Sequence, residues 1–297
     1  MKILIIGGTG VIGSKILKNL GSQYGDIEFT YLKNYNPSYN GKFLDITDKD
    51  STISLIKIIK PEIIINASSF TNMDLCETNK KIAYKINVTG LENIVSGAKI
   101  FGSKVIHIST SAVFNGEKPS YNEDDETTPI SYYGLTKSIA ENVVKTSDLP
   151  YLILRTDQPY CWIEKWQHDN SVIRAIHTLK NGLELNEIID WHNSPTFVPD
   201  FVNVLKILML EKSTGIFHLV GPDYISRYDY SIEVSNIFNL NKNLIKPIFS
   251  KILKLPAKRA NVKLCNEKLF QKTGIKMLSV KEGLTKMFAE INHSKND

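Results

Sequence analysis

The first thirteen residues restrict the fold more than any other stretch of this chain. Met1 to Ile6 is a short apolar run rich in β-branched residues, the pattern of a buried strand. It runs directly into Gly7-Gly-Thr-Gly-Val-Ile-Gly13, and Ser14 to Leu20 then repeats with helical period. Strand, glycine turn and helix in this order is the context a dinucleotide fingerprint requires. Gly7 permits the tight turn, Gly10 lets the backbone approach a pyrophosphate, and Gly13 lets helix pack on strand. With Thr9, Val11 and Ile12 they form a candidate cofactor cradle, because amides at a helix start bind phosphate.

A second spacing carries chemistry. Tyr133 and Lys137 stand four residues apart where a helical pattern begins, so phenol and ammonium share one helix face. A phenol is a poor acid at neutral pH. A cation fixed beside it favours the phenolate and is expected to lower its pKa, making it a usable proton donor or acceptor. Taken alone, the same spacing also describes an ordinary solvated helix face.

Between these motifs, strands are expected at residues 27–32, 41–44, 62–65, 104–109 and 151–155, and helices at 50–59, 80–101 and 132–146. Such alternation predicts an α/β fold, a Rossmann-type doubly wound parallel sheet. In that topology ligands bind at the carboxyl ends of the strands, and Gly7, Asp45, Asn66 and Thr110 all fall at or just after such ends. After Arg155 the pattern loosens. Helices are expected at 171–180, 200–210, 228–238, 266–272 and 279–291, a loop at 190–199 and a strand at 215–220.

The 297 residues suffice for one or two domains, and 42% apolar with 23% charged residues is ordinary for a globular protein. No apolar run is long enough to span a bilayer, and Met1-Lys2 opens into a strand without a signal-peptide core. The expected location is the cytoplasm, with no membrane partner. Cys76, Cys161 and Cys265 are scattered without Cys-x-x-Cys spacing, and the six His residues make no His-x-x-x-His pair, so no metal site is expected. A net charge of +5, spread along the chain, suits an anionic small molecule better than nucleic acid.

Together these motifs resemble the extended short-chain dehydrogenase/reductase family. Gly7, Gly10 and Gly13 match its glycine signature. Asp45-Ile46 matches its acidic dipeptide after the third strand, Asn66-Ala67-Ser68 the segment ending the fourth, and Asn87 to Gly90 its Asn-Val-x-Gly. Within the family the chain resembles the dTDP-4-dehydrorhamnose reductase, or sugar-nucleotide-binding, branch. The matching stretches are Ser109 to Phe114, Tyr133 to Lys137, Arg155-Thr156, Pro195-Thr196 and Gly215 to Leu219. The resemblance implies catalytic roles for Thr110, Tyr133 and Lys137, the last two also touching the cofactor. It implies cofactor contacts from the glycine turn, Asp45, Ile46, Asn66, Ala67, Ser68 and Asn87, and substrate contacts from Thr71, Ser111 and Gln158. It also implies a smaller substrate lobe from residues 156–199 and 221–297, with 200–220 returning to the 1–155 cofactor domain, and a possible homodimer.

Cofactor choice is read after the second strand, where an acidic tip favours NAD and a base accommodates a 2′-phosphate. The tip here carries Lys33 and no acid, which favours NADP(H), with NAD(H) the alternative. The chain departs from the branch pattern at the sugar. It has Ser111-Ala112 in place of Asp-Tyr, and Asp157-Gln158 in place of Ser-Trp. Trp162, Trp166 and Trp191 are open to either a sugar-facing or a core role. The expected activity is NADP(H)-dependent reduction of a 4-keto nucleotide-sugar. Two other readings stay open: a nucleotide-sugar epimerase, and a cofactor-bound regulatory subunit like that of methionine adenosyltransferase.

Overall fold

Ile3, Leu4, Ile5 and Ile6 are all buried, so the first strand needs neighbours on both edges and cover on both faces. The computed structural model, which describes residues 1–21, 26–34 and 40–293, supplies both. The chain runs β1 (Ile3–Ile6), α1 (Val11–Gly21), β2 (Ile27–Tyr31), β3 (Lys42–Phe43), α2 (Lys49–Ile59), β4 (Ile63–Asn66), α3 (Met73–Thr78), α4 (Lys80–Tyr84), α5 (Gly90–Lys99), β5 (Lys104–Thr110), α6 (Tyr132–Lys145) and β6 (Tyr151–Thr156). It continues with β7 (Pro159–Tyr160), α7 (Ser171–Lys180), β8 (Leu185–Ile188), β9 (His192–Asn193), β10 (Thr196–Phe197), α8 (Val198–Leu210), β11 (Gly215–His218), β12 (Ile225–Ser226), α9 (Arg227–Ile237), β13 (Ile245–Ile248), α10 (Glu267–Thr273) and α11 (Val280–His293).

Seven strands form one parallel sheet in the order β3-β2-β1-β4-β5-β6-β11. This is the doubly wound arrangement expected, and its strand order reverses between β1 and β4, where ligands bind. Alternate residues of β1 feed opposite cores. Ile3 and Ile5 pack with Ile16, Leu20, Phe201 and Leu205, from α1 and α8. Leu4 and Ile6 pack with Ile56, Leu91, Ile94 and Val144, from α2, α5 and α6. A third cluster, with Val172, Ile176, Leu185, Val234 and Leu284, holds α7, α9 and α11 around the short β8–β13 pair.

Several stretches differ from the sequence expectation, among them α3, β8 and β13, which it did not include. The helix expected over 80–101 is broken into α4 and α5 by a π-helical turn, Lys85–Thr89. Such a turn is an inserted register step, which apolar periodicity does not mark. The 190–199 loop contains β9 and β10, which pair with β12 and β7, and α8 begins two residues early at Val198. Two-residue strands carry no period to read.

One buried ion pair ties the sheet to α6. Arg155 on β6 reaches Glu141 on α6 through Nε to Oε1 at 2.9 Å and Nη2 to Oε2 at 2.7 Å, both side chains being fully enclosed. Ser109 on β5 donates to the same Oε1 at 2.6 Å. Breaking a buried pair leaves an uncompensated charge. Glu141→Gln is therefore expected to cost about 3–5 kcal/mol in urea unfolding, whereas a loss below about 1 kcal/mol would show the pair to be dispensable.

Candidate active site

The turn after β1 is built for close approach. Gly7 adopts φ +81°, and a Cβ on Gly13 would stand 2.2 Å from the Gly7 carbonyl oxygen. Only glycine at 13 lets α1 begin against the turn. Gly7 and Gly8 are pinned to β2 by bonds to the Thr30 hydroxyl and carbonyl at 3.3 and 2.8 Å. The far segment after β7 reaches the same turn: Trp166 Nε1 and Gln167 Nε2 donate to the Thr9 carbonyl at 3.3 and 3.0 Å. Free amides at the start of α1 and a turn without side chains fit a pyrophosphate.

The turn opens into a cleft of about 670 Å³, a typical size for a small-molecule or cofactor site. Thr9, Gly10, Val11, Ile12, Ala67 and Ser68 line it at one end, Thr110, Tyr133 and Lys137 at the middle, and Thr71, Ser111 and Gln158 beyond. Gly7, Gly13, Lys33, Asp45, Ile46, Asn66 and Asn87 lie outside this lining. Asp45 caps its own turn, accepting from the Thr47 amide at 2.9 Å, and Asp48 rather than Asp45 caps α2. Asn87 sits in the π-helical turn, buried, with every amide bond internal. Its Oδ1 accepts from the Phe70 amide and Ser69 hydroxyl, and its Nδ2 donates to the Phe70 carbonyl and the Thr136 hydroxyl. It thus fixes the loop after β4, which supplies Ser69 and Thr71 to the cleft.

Tyr133, Lys137 and Glu141 form one stripe of α6, each a turn apart. The helix starts cleanly because Ser131 accepts from the Gly134 amide at 3.1 Å. It sits tight on the Ser111–Val113 turn, since a Cβ on Gly134 would meet the Ala112 carbonyl at 2.0 Å. Lys137 is enclosed and donates to the Ile108 carbonyl at 2.7 Å; its Nζ also lies 3.0 Å from His107 Nε2.

The donors and acceptors around His107 fix a direction. Asn66 Oδ1 accepts from the Ser68 amide and hydroxyl at 3.1 and 2.6 Å, so its Nδ2 faces His107 Nδ1, at 3.3 Å, as a donor. Nδ1 is then the acceptor and Nε2 carries the proton. That N–H points at Lys137, which receives it as a neutral amine. Burial lowers the Lys137 pKa to about 7, partly opposed by Glu141, in agreement with this polarity. Burial holds the His107 imidazole well below its ordinary range, and the Lys137 charge, in the protonated form of the lysine, lowers it further.

Tyr133 departs from expectation. Its pKa is raised, because desolvation in the cleft outweighs the bonds from the Thr110 and Ser69 hydroxyls that pull it down. Lys137, engaged by His107 and the β5 backbone, does not reverse this in the ligand-free protein. Beyond Tyr133, the buried Asp157 carboxylate accepts from the Ser194 amide at 2.9 Å and Asn193 Nδ2 at 3.2 Å. Its pKa is pushed up to about 6 by burial, against the Ser194, Ser111 and Asn193 bonds and the Arg227 charge. Gln158 Oε1 is held by the Ser171 hydroxyl and the Arg227 guanidinium. Trp191 lines the cleft between the guanidiniums of Arg227 and Arg259, and Arg259 grips Asp74 of α3 with bonds of 2.8 and 2.6 Å. Trp162 instead belongs to the lobe core, bonded to the Met287 carbonyl at 2.7 Å.

Sequence reasoning missed Glu141, which accepts from the Ser109 hydroxyl. The signal was present, since Glu141 continues the four-residue stripe from Tyr133 and Lys137. His107 and Asn193 carried no comparable signal.

A family model described as the RmlD substrate binding domain matches residues 1–293. A dTDP-4-dehydrorhamnose reductase of Aggregatibacter actinomycetemcomitans is 31% identical over 242 residues, 78% of each chain. The methionine adenosyltransferase 2 subunit beta of Rattus norvegicus is 26% identical over 253 residues, 83% of this chain and 75% of that one. The crystal structure of dTDP-4-dehydrorhamnose reductase from Bacillus anthracis in complex with NADP superposes with TM-score 0.88 at 27% identity, covering 98% of this chain and 100% of that one.

An anionic dinucleotide beside Lys137 favours its protonated form. Affinity for NADPH, followed by its fluorescence, should fall as pH rises from about 6 to about 9, and Lys137→Met should flatten the slope. A wild-type affinity independent of pH over that span would contradict the placement of Lys137.

Proposed function

The chain belongs to the RmlD substrate-binding-domain family, and from that premise we propose that it uses NADPH to reduce the 4-keto group of a nucleotide-sugar. One observation carries the reading: Thr110, Tyr133 and Lys137 line the same cleft as the glycine turn. The sheet half, 1–155 with 200–220, holds the cofactor; 156–199 and 221–297 form the sugar side. Lys33 is exposed just beyond β2, where no acid is present to repel a 2′-phosphate. A homodimer belongs to the same proposal and rests on the resemblance.

NADPH, when bound, supplies hydride to the carbonyl carbon. The chain handles the proton and the charge. Tyr133 is a protonated phenol at neutral pH, since its pKa is raised, and holds the proton that the carbonyl oxygen needs. Thr110 sits at the end of β5, where its hydroxyl steadies charge growing on that oxygen. Lys137 binds the ribose side and, as an ammonium, stabilises the phenolate left behind. Asn87 and Gly134 hold the loop and helix that carry these groups.

The likeness to methionine adenosyltransferase 2 subunit beta supports a second, regulatory reading. A regulatory chain has no need of the proton-donating group. Tyr133→Phe should lower kcat on a 4-keto nucleotide-sugar by about 10²–10⁴ while changing NADPH affinity by no more than about twofold. Unchanged turnover in that variant would remove the mechanism.

A further inference from the structure

The sugar end of the cleft holds acceptors that lack donors. Asn193 is buried, and β9 pairs with β12 to hold its backbone. Its Nδ2 faces both oxygens of Asp157, at 3.4 and 3.2 Å, so its amide cannot be turned round without setting oxygen against carboxylate. Asn193 Oδ1, left on the other side, is buried without a partner among the described residues, and so is the Thr156 hydroxyl. All three residues line the cleft. Native structures rarely keep buried polar atoms unsatisfied without a use for them.

Asp157, on the other side of the Asn193 amide, is a buried carboxylate in the same cleft. Its hydrogen-bond partners, Ser194, Asn193 and Ser111, are all neutral. It lines the same cleft as Tyr133, and its charge acts on the phenol. The surrounding charges select the missing donor. Arg227 acts on Asp157 with its charge, so a further cation meets repulsion there where a neutral hydroxyl does not.

We propose that Asp157 and Asn193 are specificity-determining residues that together bind hydroxyl groups of the sugar next to the reacting carbon. The inference rests on the reductase reading above and adds which sugars the site accepts. A site built to bind a hydroxyl rejects the analogue lacking it, because its buried acceptors then stay unpaired. The chain therefore discriminates against sugars deoxygenated beside the carbonyl.

Calorimetric titration of the protein–NADP⁺ complex tests this, with dTDP-rhamnose, its 3-deoxy counterpart and dTDP alone as probes. Wild type should prefer the hydroxylated sugar roughly tenfold or more, and Asp157→Asn and Asn193→Ala should each bring the ratio to within about twofold. Affinity for dTDP should stay unchanged in all three proteins, which also reports that the variants fold. A tenfold preference that survives in both variants, or a wild type with no preference, overturns the assignment. NADPH oxidation with a 4-keto nucleotide-sugar, measured on the same wild-type preparation, separates the two levels. Activity without discrimination defeats only this inference, whereas no binding and no oxidation defeats the reductase reading and this inference with it.

Discussion

The buried pair between Glu141 and Arg155 is the contact on which the site geometry depends. A buried ion pair is a poor source of net stability, because desolvation cancels much of the attraction. It is a strict source of position. Arg155 also spans toward the Glu123 carbonyl and His218 Nε2, at 3.4 and 3.3 Å, and lies over the Phe114 ring. Through Ser109 and Glu141 it joins β5, β6, β11 and α6 in one network. Residues four apart on a helix are separated by about 6 Å along its axis. Anchoring Glu141 to the sheet therefore sets Lys137 under β5 and Tyr133 at the cleft.

The electrostatics of the ligand-free cleft follow from burial more than from pairing. Desolvation raises Tyr133, lowers Lys137 and raises Asp157, so all three move toward their neutral forms. This is the usual response of ionisable groups to a low-dielectric wall. In the proposed mechanism an anionic cofactor changes the balance by favouring the Lys137 ammonium, and with it the phenolate. The spacing alone misjudged the ligand-free phenol because burial outweighs the neighbouring hydroxyl bonds.

Much of the fold was legible because it rests on period and composition. β1, the glycine turn and α1 could be read from the first twenty residues, and the Tyr133–Lys137 face from one helical repeat. Glu141 was equally legible as the next member of that stripe. Other parts had no local signal. The π-helical turn at Asn87 is a register insertion inside an otherwise helical pattern. Trp166 and Gln167 meet Thr9 across more than 150 residues, and Asp157 meets Asn193 across 36, through the packing of loops. Asp157 was visible as a departure from the branch pattern, but the partner that gives it meaning was not.

The central claim is that this cleft passes hydride to a sugar carbonyl, with Tyr133 supplying the proton. The most direct test is to incubate the protein with NADPH deuterated at both C4 positions and dTDP-4-dehydrorhamnose or a related 4-keto nucleotide-sugar, and then weigh the product. The account predicts a nucleotide-sugar carrying one deuterium on the former carbonyl carbon, formed with stoichiometric oxidation of NADPH. Tight NADPH binding with no deuterium transferred to any such substrate would contradict it and leave the regulatory reading standing.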